Sequence, residues 1–215
     1  MIATEEATPL TRLQIVLVIL ALACGGFAIG TGEFAVMGLL PDVAGTFAVT
    51  TPQAGYVISA YALGVVVGAP LIAIAGAKSS RRTLLLILMA VFTVGNLASA
   101  VAPDFLSFIV LRFLSGLPHG AYFGVSALVA ASLVPLDMRA GTVGYVMLGL
   151  TGATLVGTPV MALFGQYLSW RVMFFAVGLI SALTVRLIWL MSSCSCISCI
   201  VKVNPLRHLL ITTLI

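Results

Sequence analysis

Apolar residues form six long runs along the chain, and short polar or charged stretches separate them. The runs cover about 14–40, 53–76, 83–102, 105–134, 141–165 and 172–191. A bilayer core about 30 Å thick is crossed by about 20 apolar residues in a helix. Lipid offers no hydrogen-bond partner to open backbone groups, so helices are the form that such runs take. The pattern predicts six membrane-spanning helices.

Composition supports this interpretation over a soluble helical bundle. Hydrophobic residues make up 61% of the 215 residues, and only ten basic and six acidic side chains are present. A soluble domain of this size does not need so large an apolar share. The first run is too long for a cleaved signal peptide. No basic face with aromatic platforms is present, so the sequence does not predict a nucleic-acid partner.

Basic residues are distributed unequally between the two sides of the predicted membrane. With a cytoplasmic N-terminus (residues 1–12), the cytoplasmic ends before the tail carry Arg12, Lys78, Arg81, Arg82 and Arg139, whereas the other side carries Arg171. Cytoplasmic loops are enriched in Lys and Arg. The asymmetry therefore predicts that the N-terminus is cytoplasmic.

The second and fifth runs repeat each other. Residues 55–82 and 144–171 align without a gap at an offset of 89, and ten of the 28 positions are identical. The identities include Gly-Tyr-Val at the start, an arginine at the end, and a Gly-x-Pro element in the middle. Glycine and proline in matched register are typical of an internal duplication.

An offset of 89 residues contains three runs, so the second copy enters the membrane inverted. Inverted three-helix repeats are a known construction of secondary transporters. We therefore predict an all-α polytopic membrane protein, a six-helix bundle over 13–191 built of two inverted three-helix repeats, about 13–102 and 105–191. The paired elements Gly68/Pro70 and Gly157/Pro159 are candidates for gating, since proline loosens a helix and glycine admits a neighbouring backbone. The alternative is that they are packing kinks.

Three titratable side chains lie well inside the runs: Glu33, Arg112 and His119. Glu33 precedes Pro41 by eight residues and Arg112 follows Asp104 by eight, so both lie about 12 Å from the same surface at 1.5 Å per residue. Matching depth predicts that Glu33 and Arg112 pair if their helices are neighbours. His119 lies seven residues after Arg112, on the same helix face.

We interpret these three residues as a proton and substrate coupling site. In this interpretation Glu33 faces a cavity, and a proton, a substrate cation or Arg112 sets its charge. One alternative is a fixed structural bridge between Glu33 and Arg112. For His119, which follows Pro118, the alternative is a kink cap.

Four stretches resemble the N-terminal half of a major facilitator superfamily transporter, close to the twelve-helix drug:proton antiporters and the sugar- and arabinose-efflux-like permeases. They are "GTGEFAVMGLLPDVAGTF", "RR" with "TLLL", "LRFLSGLPHGAYFG" and "GTPVMALFGQYLSWRVMFF". The resemblance implies an inner-membrane carrier that exports small molecules in exchange for protons by rocking two six-helix halves. It places Glu33 on the first-helix signature and Arg112 on the fourth-helix proton-coupling motif. It also places Gly157 and Pro159 on the fifth-helix antiporter motif.

The loop after the second run departs from the family pattern. Ala77 and Ser80 stand where an aspartate and a glycine are usual, ahead of Arg81 and Arg82. The aspartate normally helps to latch the two halves. Lys78, Arg81 and Arg82 are therefore interpreted as topology anchors, with gating as the alternative.

The tail, residues 192–215, is atypical of the family. Three of the four cysteines fall in "CSCISC", whose spacing is not that of a zinc site. We interpret the tail as a truncated or frame-shifted end, with a half-size carrier that pairs with itself as the alternative.

Two functions follow from these features. The first is proton-coupled export of a small molecule, with a C-terminal half or a second copy as partner in the bilayer. The second is a non-transporting membrane fragment. No enzyme motif and no cofactor or metal site are predicted.

Overall fold

The computed structural model describes residues 11–192, and these residues form six helical spans. The predictions made for the tail concern residues 193–215, which lie outside this range. Each span is long and apolar enough to cross a membrane, and the described part of the chain contains helices and turns but no strand. The predicted all-α fold with six spans is confirmed. In order, the first to sixth spans are Arg12–Phe47, Thr51–Gly76, Arg81–Ala100, Phe105–Ser132, Leu136–Tyr167 and Trp170–Met191.

The first span is longer than the apolar run predicted. It consists of a helix at Arg12–Phe34, a 3-10 segment at Ala35–Leu39 and a further helix at Leu40–Phe47. Pro41 lies in the first turn of that last helix, where its missing N–H removes no helical hydrogen bond. The predicted end near residue 40 is therefore wrong, and this changes the depth of Glu33.

Polar side chains at the helix starts satisfy backbone N–H groups that have no intrahelical partner. Thr50 and Gln53 form a capping box before the second span. Asp104 accepts a hydrogen bond from the Ser107 backbone N–H at 2.9 Å at the start of the fourth span. Hydrogen bonds from the Ser107 side chain and backbone lower the pKa of Asp104 below its usual value. These caps begin the helices where the apolar runs begin.

The two Gly-x-Pro elements have different local backbones. The second span consists of a short turn at Thr51–Ala54 and a continuous helix at Tyr56–Gly76 that contains Pro70. The fifth span is interrupted instead: after a 3-10 turn and a helix at Arg139–Gly152, a π segment at Ala153–Gly157 precedes the helix Thr158–Tyr167. Local π geometry is one way in which a membrane helix satisfies the backbone groups that a neighbouring proline frees.

Close backbone contacts join the second span to the fourth and the fifth span to the first. A Cβ atom at Gly64 or Gly68 would overlap the backbone of the fourth span at Phe113 and Leu117. On the fifth span, a Cβ atom at Gly149 would overlap the backbone of the first span. Membrane helices approach this closely where small residues replace side chains, because lipid provides no hydrophobic force between helices.

The third span packs against the sixth, and this completes the symmetry. The Thr93 hydroxyl donates to Ser181 Oγ at 2.9 Å across this interface. The repeat relates the first, second and third spans to the fourth, fifth and sixth. The contact between the second and fourth spans therefore corresponds to the contact between the fifth and first, and the contact between the third and sixth spans corresponds to itself. Equivalent residues also share their environments: Tyr56 and Tyr145 are 59% and 61% exposed, and Val57 and Val146 are fully buried. The inverted repeat is thus a property of the packing as well as of the sequence.

We expect Gly64→Ala to lower the melting temperature of the purified protein by roughly 3–10 °C, because its methyl group would overlap backbone that cannot move aside. Gly124→Ala is the matched control, since a Cβ atom at Gly124 meets nothing within 4 Å and alanine is the better helix former. Thermal unfolding in detergent measures both. Equal melting temperatures for the two variants would contradict the close second–fourth contact.

Candidate functional site

Three spans bring one polar side chain each to a common point near the middle of the bundle. His119 on the fourth span lies with Nδ1 3.0 Å from the hydroxyl of Tyr61 on the second span. The same nitrogen lies 3.7 Å from Oε2 of Glu33 on the first span. The side chains of His119 and Glu33 are 14% and 27% exposed, whereas Tyr61 is buried. Glu33 is thus the most exposed of the three side chains.

Arg112 lies beneath this cluster and is fully buried. Its guanidinium carbon stands 4.3 Å from the ring centroid of Tyr61 and 5.3 Å from that of Phe174. None of its three side-chain nitrogens has a hydrogen-bond partner within residues 11–192. The aromatic faces stabilise the cation, but its hydrogen-bonding capacity is unused in this conformation.

The direct pairing predicted between Glu33 and Arg112 does not occur in this conformation, in which Glu33 approaches His119 instead. The reason is depth. The first span ends at Phe47, so Glu33 lies 14 residues from that end, or about 21 Å. Arg112 and His119 lie eight and 15 residues after Asp104, or about 12 and 22 Å. Glu33 therefore reaches the level of His119, although the charge of Arg112 still acts on it.

An aromatic cluster closes the bundle on the far side of Arg112. Phe174 packs edge-on against Phe108 and Trp170, with ring centroids 5.3 and 5.9 Å from its own. Phe108 also stacks with Phe47, at the end of the first span. These rings cover Arg112 on the side of the span ends that carry Trp170 and Phe47.

Tyr61 is the site residue that sequence reasoning missed. It belongs to a buried stripe on the second span with Val57, Gly64 and Gly68. The aligned residue of the other repeat, 89 positions later, is Leu150. A polar residue at a position that is apolar in the other repeat is the signal that could have identified it.

The Gly-x-Pro residues lie at helix contacts rather than beside His119. Gly68 contacts the fourth-span backbone at Leu117, one turn beyond the contact at Gly64. A Cβ atom at Gly157 would overlap the side chain of Thr31 and lie 3.0 Å from the ring of Phe27. Pro70 and Pro159 each follow their glycine by two residues. These positions determine how closely the second and fifth spans approach their neighbours.

The basic loop residues have unequal surroundings. Lys78 is exposed, whereas Arg81 and Arg82 are half-buried. The Arg81 guanidinium donates to the backbone oxygen of Leu128 on the fourth span at 3.3 Å. A groove of about 500 Å³ between the second and fourth spans runs beside Arg81. Arg81 thus ties the start of the third span to the fourth, a contact with a structural role beyond topology.

Arg171, the counterpart of Arg82 in the repeat, caps the third span. It donates to the backbone oxygens of Ala100 and Ala102 at 2.9 and 3.0 Å. Arg186 is a further cation, which the sequence analysis passed over. It is exposed on the sixth span near the end opposite Arg171.

A second groove, of about 980 Å³, lies between the first and fifth spans, and its lining includes Arg12, Phe27, Thr142 and Tyr145. Glu33, Arg112 and His119 are not among its lining residues. These three residues and this apolar groove are therefore separate features of the bundle.

Comparison with known proteins gives a consistent result. The model of the Major Facilitator Superfamily matches residues 22–194. The inner membrane transport protein YdhP of Escherichia coli is 47% identical over 160 residues, which are 74% of this chain and 41% of YdhP. A chloramphenicol resistance protein of Streptomyces lividans is 36% identical over 73% of this chain and 40% of its own length. The chain spans about two fifths of the length of these relatives.

Solved structures show the same fold. The proton:xylose symporter XylE of Escherichia coli superimposes with a TM-score of 0.72 at 16% identity, over 94% of this chain and 53% of the symporter chain. The chain belongs to the major facilitator superfamily, and it is a multi-pass membrane protein.

Glu33 is expected to be reachable by water, because its side chain is 27% exposed. Glu33→Cys, with the four native cysteines replaced by serine, should react with a membrane-impermeant maleimide. Thr31→Cys is the matched control, since Thr31 is fully buried two residues earlier, and it should stay unlabelled. Equal protection of both cysteines would contradict a water-accessible Glu33.

Proposed function

We propose that this chain is the six-span unit of a transporter that exports a small organic molecule in exchange for protons by alternating access. One observation carries the proposal: Glu33 contacts His119 directly above a buried Arg112 whose nitrogens lack hydrogen bonds within residues 11–192. Ionisable residues inside a membrane bundle are costly and mark proton or substrate pathways. The relative from Streptomyces lividans, a resistance protein, supports export as the direction.

Proton coupling follows from the two charge states of Glu33. The ionised carboxylate is attracted by Arg112 and by His119 when the imidazole is protonated, and this attraction holds the first span against the fourth. The protonated carboxyl group is neutral and loses most of that attraction. Loading and releasing a proton therefore changes the force between two spans of the bundle.

The small-molecule substrate acts through the same site. A substrate with a cationic or hydrogen-bond-donating group competes with the proton for Glu33. Exchange results when Glu33 binds the proton from one side of the membrane and the substrate from the other. The exposed part of Glu33 and His119 is where such a group would bind. Arg112 attracts the ionised carboxylate of Glu33, so the proton and the substrate both bind Glu33 in competition with this fixed positive charge.

The Gly-x-Pro elements are the proposed gating positions. Gly68/Pro70 and Gly157/Pro159 allow the second and fifth spans to bend where they contact the fourth and first spans. The π segment at Ala153–Gly157 supports this role, because such segments occur often at functional sites in helices.

Alternating access requires a second six-span unit, either a C-terminal half or a second copy of this chain. The second and fifth spans support this expectation: only 22% and 17% of their apolar windows are buried, against 39–50% for the other four. These two spans present the faces against which a second unit would pack, with lipid covering the remainder.

We propose that the protein resides in the inner (plasma) membrane with its N-terminus in the cytoplasm. The cytoplasmic side then carries Lys78, Arg81, Arg82 and Arg139, and Arg186 lies near the same side. Lys78, Arg81 and Arg82 act as anchors at this surface.

A non-transporting membrane protein is the second candidate. The observation that favours it is the share of the relatives that this chain matches, 40–41% of their own lengths. A six-span unit that finds no partner would insert but would not alternate.

Glu33→Gln is expected to abolish export driven by a pH gradient while leaving insertion intact, because an amide cannot carry the exchanged proton. The measurement is chloramphenicol accumulation in vesicles containing the full chain, with and without an imposed pH gradient. Asp42→Asn is the matched control, an exposed carboxylate near the end of the same span, and it should keep full activity. Undiminished gradient-driven flux in Glu33→Gln contradicts proton coupling, and no flux in the unmodified chain supports the second candidate.

A further inference from the structure

We propose that Tyr61 is a positioning residue that determines which nitrogen of His119 carries the proton, and that it competes with Glu33 for this histidine. The inference rests on the proposed function, because His119 matters for transport only if its proton takes part in exchange. Nothing in the sequence pattern assigns a role to Tyr61, which occupies a position that is apolar in the second repeat.

The geometry centres on a single atom, His119 Nδ1. The Tyr61 hydroxyl lies 3.0 Å from this nitrogen and Glu33 Oε2 lies 3.7 Å from it. An imidazole nitrogen offers either one lone pair or one N–H, so it makes one hydrogen bond at a time. Tyr61 and Glu33 therefore cannot both be bonded to Nδ1.

The protonation state of His119 decides between the two partners. When the imidazole is neutral with its hydrogen on Nε2, Nδ1 is an acceptor, and the Tyr61 O–H donates to it. When the imidazole is protonated, Nδ1 becomes a donor, and the ionised Glu33 is the stronger acceptor because charge-assisted hydrogen bonds are roughly twice as strong as neutral ones. Proton uptake therefore changes the hydrogen-bond partner of His119 from Tyr61 on the second span to Glu33 on the first.

Arg112 reinforces the donor role of Tyr61. Its guanidinium lies over the phenol ring at 4.3 Å, and a cation on a π face withdraws electron density from the ring. The O–H group becomes a better donor and a poorer acceptor. Tyr61 thus transmits the fixed charge of Arg112 to the histidine without direct contact between the two.

Few other groups compete for His119 within residues 11–192. Phe123 packs beside it at 5.3 Å between ring centroids and is not titratable. The Tyr122 hydroxyl points away and donates to the backbone oxygen of Leu22. On the third, fifth and sixth spans, the acidic and basic side chains lie within about two turns of a span end. Tyr61 and Glu33 are therefore the ionisable side chains in contact with His119 in this part of the chain.

Nitrogen NMR on the full chain with ¹⁵N-labelled histidine tests the proposal without any transport assay. The chain contains two histidines, His119 and His208, and His208→Gln identifies the signals of His119. In the unmodified chain we expect neutral His119 to carry its hydrogen on Nε2. Neutral His119 with its hydrogen on Nδ1 would overturn the proposal, and this outcome needs no variant at position 61.

Tyr61→Phe removes the hydroxyl but keeps a ring over Arg112. We expect a mixture of the two histidine tautomers and a titration midpoint of His119 that moves to higher pH by roughly half to one unit, the equivalent of one neutral hydrogen bond. Tyr122→Phe is the matched control, since it removes another buried hydroxyl with a backbone acceptor, and it should leave both readouts unchanged.

An unchanged tautomer and midpoint in a folded Tyr61→Phe variant would overturn the role of Tyr61 while leaving proton exchange through Glu33 intact. Conversely, an altered His119 spectrum in a chain without pH-driven flux would support Tyr61 as the positioning residue and contradict the proposed transport. The two failures are therefore distinguishable.

Discussion

The interaction on which the interior of this bundle depends is the burial of one cation, the Arg112 guanidinium. Arg112 is fully buried, and residues 11–192 supply no hydrogen bond to its side-chain nitrogens. Removing an ion from water costs several kcal/mol even after the protein relaxes, whereas a desolvated cation–π contact returns about 2 kcal/mol. The rings of Tyr61 and Phe174 therefore offset only part of the cost. The remaining cost of burying Arg112 is lowered by negative charge nearby, and Glu33 is the acidic side chain whose charge interacts with it.

The precision of the site depends on backbone contacts rather than on side-chain interlocking. A Cβ atom on Gly116 of the fourth span would overlap the backbone oxygen of Tyr61 on the second. Two helices in such contact have little freedom to rotate or slide, so the hydroxyl of Tyr61 and the ring of His119 are held in register. The glycines that allow close packing are thus also the residues that position the polar cluster.

The inverted repeat builds the scaffold, and departures from the repeat build the site. Matched valines and tyrosines have matched environments in both copies, and the helix pairs exchange as the repeat requires. Tyr61 has Leu150 as its counterpart, and the continuous helix around Pro70 becomes a π segment before Pro159. Two identical repeats would place the same polar residues at two separate positions in the bundle. A single polar site therefore requires residues that differ between the repeats.

The number of spans, the repeat and the presence of Glu33, Arg112 and His119 inside the bundle could all be predicted from the linear pattern. Hydropathy and register are local properties, and the membrane leaves few ways to satisfy them. The partner of Glu33 could not be predicted this way, because counting from Pro41 ignored the six further helical positions to Phe47. Tyr61 could not be predicted to contact His119 either, since that contact depends on how the second and fourth helices are rotated about their axes. Depth and rotation are set by packing between spans distant in the chain, and they decided which polar groups meet.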